Sequence, residues 1–145
     1  MAERLFLDTN ILVYSFDRSD PEKQRRAQAV MEKAVETGNG VISYQVVQEF
    51  LNVALRHFRI AMLPAEVRTY LNRILMPMCE GYPDGRLYLE ALAIVEETGW
   101  GFYDSLIVAS AAATRCASLL TEDLQDGRVV LGVSIRNPFR EPRRR

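Results

Sequence analysis

Three apolar residues, Leu5, Phe6 and Leu7, run into a polar triplet, Asp8-Thr9-Asn10, and apolar positions then resume at helical spacing with Ile11, Leu12 and Phe16. So short and sharply bounded a run reads as a strand buried on both faces, the kind that parallel sheets contain. Asp8 therefore stands where a strand hands over to a helix, on the sheet edge where open α/β proteins bind ligands. The pattern returns late in the chain, where Ala117 to Leu120 runs into Thr121-Glu122-Asp123. Parallel strands present their carboxyl ends on one edge, so Asp8 and Asp123 are expected to face the same cleft. Taken alone, Asp8-Thr9-Asn10 is also an ordinary helix-starting cluster, since each side chain can accept from an orphan N–H.

Between the two handovers the elements alternate. Asp20-Pro21 opens a helix that Ala27, Val30, Met31, Ala34 and Val35 carry to Gly38. Val41-Ile42 reads as a brief strand, and Ser43 is expected to cap a helix with apolar positions from Val46 to Phe58, interrupted by Glu49 and Asn52. Pro64 starts a further helix that Pro77 is expected to close, followed by a short strand at Met78 to Glu80. A helix runs from Asp84 to Thr98-Gly99, another opens at Tyr103-Asp104-Ser105, and Val129 to Ile135 forms a last strand with a glycine interruption. This order predicts an α/β protein: a three-layer α/β/α sandwich on a short, mainly parallel central sheet. A single domain over residues 1–139 and a basic tail, 140–145, are expected.

Composition narrows the chemistry. At 145 residues, 48% apolar and 26% charged, the chain can bury one core. Two cysteines give no disulfide framework, no apolar run approaches a membrane span, and acids interrupt any leader-like stretch at the start, so a cytoplasmic location is expected. His57 is the only histidine, which leaves little basis for a histidine triad or a zinc site. The net charge is −1, yet nearly all basic residues are arginine, and they gather at Lys23-Gln24-Arg25-Arg26 and in the tail. Arg25, Arg26, Arg143, Arg144 and Arg145, with Arg18 beside them, are candidates to hold RNA phosphates. Solvated surface charge is the alternative for each.

Asp104, at a helix opening, and Glu49, two turns into its helix, can point toward the edge where Asp8 and Asp123 meet. Each like-charge pair at ~4 Å costs about 4 kcal/mol at an effective dielectric of ~20. A hard divalent cation removes that cost and brings water to a phosphate. Asp126 is a spare acid in the turn after Asp123. Trp100 is expected in the core, although an aromatic near the site could stack on an unpaired base.

Leu7-Asp8-Thr9-Asn10-Ile11-Leu12-Val13-Tyr14, Gln48-Glu49-Phe50, Tyr103-Asp104-Ser105-Leu106-Ile107 and Leu119-Leu120-Thr121-Glu122-Asp123-Leu124 together resemble PIN-domain ribonucleases, and most of all the VapC-type toxins of type II toxin–antitoxin pairs. The resemblance spans nearly the whole chain. It implies that Asp8, Glu49, Asp104 and Asp123 bind Mg²⁺ or Mn²⁺, with Thr9, Asn10 and Thr121 supporting them. Asp126 stays open as an alternate for Asp123. It further implies endonucleolytic RNA cleavage, a homodimer and silencing by a small antitoxin; the apolar helix surface around Leu63 to Leu75 and Leu87 to Val95 exceeds what one thin sheet can cover, so the dimer is expected through some of these helices. A haloacid-dehalogenase-like phosphatase would need aspartate where Asn10 stands. A housekeeping RNA-processing nuclease of the same fold, or a catalytically idle module that binds RNA or protein, remains an alternative.

Overall fold

The computed structural model describes residues 3–56, 60 and 62–140. At its centre β1 (Leu5–Leu7) pairs in parallel with β2 (Gly40–Ser43) on one side and β4 (Ser118–Leu120) on the other. β3 (Cys79–Gly81) extends the sheet in parallel beyond β2, and β6 (Val133–Arg136) beyond β4. β5 (Val129–Val130) closes that side antiparallel to β6, giving the order β3-β2-β1-β4-β6-β5. The short apolar runs are buried because both sheet faces are covered, as a mainly parallel sheet requires. Phe6, Leu7, Ile42, Leu119 and Ile135 lose all solvent contact.

Helices flank the sheet as the alternation implies. α1 (Thr9–Tyr14) packs on α2 (Pro21–Thr37) and α3 (Tyr44–Arg56), both of which reach β2. Asp20 caps α2 by accepting from Lys23 N–H, and Gly38, at φ 70°, ends it in the left-handed region. On the other flank α6 (Gly85–Thr98) packs along α7 (Phe102–Ala113), which lies on β2, β3, β4 and β6. Ala109, Ser110 and Ala111 let α7 approach the sheet closely; each is 2% exposed or less. Among the described residues no helix is long and apolar enough to cross a membrane.

Four local expectations change. Pro77 does not close the preceding helix: α4 (Pro64–Tyr70) continues through a π-helical stretch, Leu71–Leu75, into α5 (Met76–Met78). There Met76 N–H donates to Leu71 C=O, five residues back, and the widened turn admits a ring that would clash in a regular α-helix. Ser43 makes no cap, because it is the last residue of β2, opposite Gly81, and its buried Oγ has no hydrogen-bond partner. The strand expected at Met78 to Glu80 lies one residue later, at Cys79–Gly81. The last strand is two, because Leu131 and Gly132, at φ 50° and 77°, reverse the chain in a mirror-image hairpin turn. The last apolar position expected for α3, Phe58, lies outside the described residues, as does His57.

Leu131 is half exposed and holds a left-handed backbone that a branched side chain disfavours. Leu131→Asn should raise stability by about 1 kcal/mol, since asparagine tolerates this conformation better than a γ-branched side chain. Urea unfolding of the two proteins measures the difference.

Candidate active site

β1 delivers Asp8 to the carboxyl edge of the sheet, and α1 starts on its next residue. Asp8 is both cap and cleft acid: its Oδ1 accepts from Thr9 N–H at 2.7 Å, and its Oδ2 accepts from the Thr121 hydroxyl at 2.8 Å. The two strand-to-helix handovers thus meet in one hydrogen bond, backed by Asp8 N–H on Leu120 C=O at 3.0 Å. Asp8 is 6% exposed. Burial pushes its carboxyl up to about 6, its two donors oppose the rise, and the charges of Asp123 and Glu49 add to it.

Glu49 is half buried on α3. One oxygen accepts from the Thr9 hydroxyl at 2.8 Å and the other from Gln45 Nε2 at 2.7 Å. Asp123 is exposed and accepts from Asn10 Nδ2 at 3.0 Å, while its own N–H donates to Thr121 Oγ1 at 3.1 Å. Asn10 Nδ2 also reaches Thr121 Oγ1 at 3.3 Å. Asp104 is the third residue of α7, not its cap, which is Gly101. Burial raises its carboxyl above the usual carboxylate range, with Asp123 and Glu49 adding to the rise. No hydrogen-bond donor reaches it among the described residues.

The four sequence-selected acids therefore share one electrostatic neighbourhood, in which Asp123 and Glu49 act on both Asp8 and Asp104. Thr9, Asn10 and Thr121 lie between them as donors. Among the described residues, however, no three acids, histidines or cysteines close into a ready metal cage. Hydrogen bonds hold Glu49 toward Thr9 and Gln45, and Asp123 toward Asn10, which keeps like charges apart. The donor set is all carboxylate oxygen, so its chemistry fits a hard cation that retains part of its water shell, and it does not fit zinc.

Other sequence candidates fall elsewhere. Asp126 accepts from Asn137 N–H at 2.9 Å and faces Arg140 Nη1 at 4.0 Å, so its carboxylate is committed to the C-terminal segment. Arg26 is tied within the fold, to Pro138 C=O at 3.5 Å and Glu22 at 3.4 Å, whereas Arg18 and Arg25 are exposed. Arg143, Arg144 and Arg145 lie outside the described residues. Trp100 is half buried against the core with Arg128 over its ring at 4.8 Å. Two features were missed in the sequence. Gln45 holds Glu49, and only its place one turn before that acid hints at this. Glu122 accepts from Tyr14 and pairs with Lys23 at 2.8 Å beside a cleft of about 290 Å³ lined by Thr9, Asn10 and Asp17.

A mainly parallel α/β sheet with an acidic cluster at its carboxyl edge defines a class of fold and a place for its site. The PIN domain family model matches residues 5–128, and the chain belongs to that family. Solved structures of similar fold include a toxin–antitoxin complex from Klebsiella pneumoniae, at 22% identity and TM-score 0.63, covering 93% of this chain and 97% of that one. VapBC2 from Rickettsia felis bound to a promoter DNA fragment gives 20% and 0.61, covering 92% and 97%. FitAcB from Neisseria gonorrhoeae gives 20% and 0.59, covering 93% and 98%. No match is found among curated protein sequences.

Asp8 makes metal-free stability depend on pH. Its folded pKa of about 6 lies above the ordinary value of 3.8, so the folded state binds this proton more tightly than the unfolded one. The contribution is fully present below pH ~4 and is lost as pH rises through ~6, a change of roughly 3 kcal/mol. Asp104 acts in the same direction. Asp8→Asn should flatten this slope in denaturant titrations run in chelator from acid to neutral pH.

Proposed function

We propose that the protein is a divalent-metal-dependent endoribonuclease and the toxin of a toxin–antitoxin pair. The observation that carries this reading is the state of the acids: among the described residues no donor reaches Asp104, and burial holds Asp8 up to about 6 beside Glu49 and Asp123. Such an arrangement is poorly stabilised by the protein alone and suits a cation. Asp8, Asp104, Glu49 and Asp123 would hold Mg²⁺ or Mn²⁺, which when bound supplies positive charge for the scissile phosphate and acidifies water for attack at phosphorus. Thr9 N–H and the Thr121 hydroxyl fix the two Asp8 oxygens. Thr9 Oγ1 and Gln45 fix Glu49, and Asn10 orients Asp123. Because the acids repel phosphate, Arg18, Arg25 and the arginines of the tail would hold the RNA backbone at a distance, with Arg26 a lesser contributor because it is already engaged.

The toxin part draws on the family and on neighbours whose titles name toxin–antitoxin complexes. Two adjoining apolar grooves share Tyr70 and Ile74. One, of about 480 Å³, runs past Met62, Ala65 and Thr69, and the other, of about 460 Å³, past Met31 and Val35. An amphipathic antitoxin segment would lie there and bring a cation to the acids. Leu89 and Leu92, 70% and 48% exposed on α6, would meet a second copy in a homodimer.

Asp8→Asn and Asp104→Asn should reduce RNA cleavage to background while the fold persists by circular dichroism. Thr9→Val, which removes the hydroxyl on Glu49 alone, should cost roughly 10- to 100-fold in metal affinity or rate. Mg²⁺ should raise the melting temperature of the wild type at neutral pH and leave Asp104→Asn unmoved. Products should carry 5′-phosphates. Cleavage that survives EDTA, or cyclic-phosphate ends, would overturn the mechanism. Copurification of an active monomer with the product of a neighbouring small gene would remove the toxin role and leave the nuclease.

A further inference from the structure

Glu122 stands between two residues of the acidic edge: Thr121, whose hydroxyl holds Asp8 at 2.8 Å, and Asp123. Both oxygens of its own carboxylate are engaged elsewhere. Oε1 accepts from the Tyr14 hydroxyl on α1, and Oε2 accepts from Lys23 Nζ on α2 at 2.8 Å. These partners lie 108 and 99 residues away in the chain. Lys23 Nζ also donates to Tyr14 Oη at 3.3 Å, which closes a triangle in which each polar atom has a partner.

Lys23 is badly placed for its own helix. It lies in the first turn of α2, where the helix dipole disfavours a cation. It is held there by the Glu122 carboxylate, the face of Tyr14 at 4.7 Å and the ring of Phe139 at 5.6 Å. Although it belongs to the basic run near the start of the chain, its charge is thus committed to Glu122. α1 supplies the second grip. Asn10 and Tyr14, four residues apart, share one face of that helix and hold successive loop residues: Asn10 donates to Asp123 at 3.0 Å, and Tyr14 donates to Glu122. Among the described residues Asn10 is the one donor to the exposed Asp123 carboxylate. Beyond Thr121, hydrogen bonds therefore tie the loop to the helices through that one contact and through Glu122.

We infer that the triangle of Tyr14, Glu122 and Lys23 positions the 121–123 loop for a divalent cation. Glu122 is a positioning residue that keeps Thr121 and Asp123 in place and is not itself a ligand. The inference rests on the metal-site reading and adds the residues that set its Asp123 corner. Any pull on Asp123 passes to the loop backbone, and a closed, fully partnered network resists it where a single hydrogen bond would not. Groups that orient ligands commonly matter nearly as much as the ligands. Asn10, Tyr14 and Glu122 line one cleft of about 290 Å³ together with Thr9, so the triangle stands directly beside the acids' own donors.

Calorimetric titration of Mn²⁺ into the metal-free full chain reads the site without any cleavage. Tyr14→Phe and Lys23→Met should each weaken Mn²⁺ binding roughly tenfold, and Lys23→Arg, which can still pair with Glu122, should retain it. In a Glu122→Ala background neither substitution should change the affinity further, because both act through that carboxylate. Circular dichroism checks that each variant is folded, and Tyr14→Phe, which removes a single oxygen, carries the test if the lysine variant is not. An ion pair that serves only the fold would lower the melting temperature of these variants and leave Mn²⁺ affinity unchanged. That result overturns the inference and spares the nuclease. Tighter Mn²⁺ binding by Lys23→Met would make the released Glu122 a ligand and overturn the inference as well. A wild type that neither binds Mn²⁺ nor cleaves RNA overturns the nuclease and the positioning role together.

Discussion

Burying carboxylates beside one another is the cost that the edge of this sheet has to meet. Asp8, Glu49, Asp104 and Asp123 come from four separate segments; burial raises the pKa of Asp8 and Asp104, and the charges of Asp123 and Glu49 add to the rise. Short-range donors offset part of that cost: a backbone N–H, two threonine hydroxyls and two side-chain amides. A hydrogen bond to a charged acceptor contributes more than a neutral one, so these few contacts carry weight out of proportion to their number. What they leave uncompensated lies mainly on Asp104. Asp104, which no donor reaches among the described residues, directly follows the exposed rings of Phe102 and Tyr103.

The donors have a second effect. Thr121 belongs to the loop after β4 and Thr9 to α1, so both hold acids that enter from other segments. The cluster therefore works as a cross-link between β1, β4, α1 and α3, and its geometry is inherited from the sheet and not from any one loop. Rigid placement of this kind limits the rearrangement needed when a charged ligand arrives.

Much of this was legible in the chain because it depends on local polarity and period. A buried strand must be apolar and must stop at something polar, so Leu5–Leu7 with Asp8, and Ser118–Leu120 with Thr121, announce themselves. The places where reading failed depend on relations between distant residues. Proline ends a regular helix by a local clash, but the π turn before Pro77 relieves it, and nothing local to the proline says so. Ser43 looks like a cap until β3 pairs beside it at Gly81. Arg26 belongs to a basic run in composition, yet its partner Pro138 lies at the far end of the chain. Gln45 carries only the faint signal of its spacing, since a glutamine one turn before a glutamate is ordinary. The hairpin at Leu131-Gly132 was readable in principle, but leucine at a left-handed position disguised it.

The sheet's two margins have a bearing on how copies of this chain can meet. On one side β5 is only two residues long and ends in a tight reversal; on the other β3 is three residues long and follows directly on a helix. Strands this short offer too few free N–H and C=O groups to template an incoming strand, which is one way that natural proteins avoid ribbon-like association. Growth by sheet extension is closed off at both margins, so crowding of the protein at high expression should lead to contacts between helices, with the strands remaining a private scaffold.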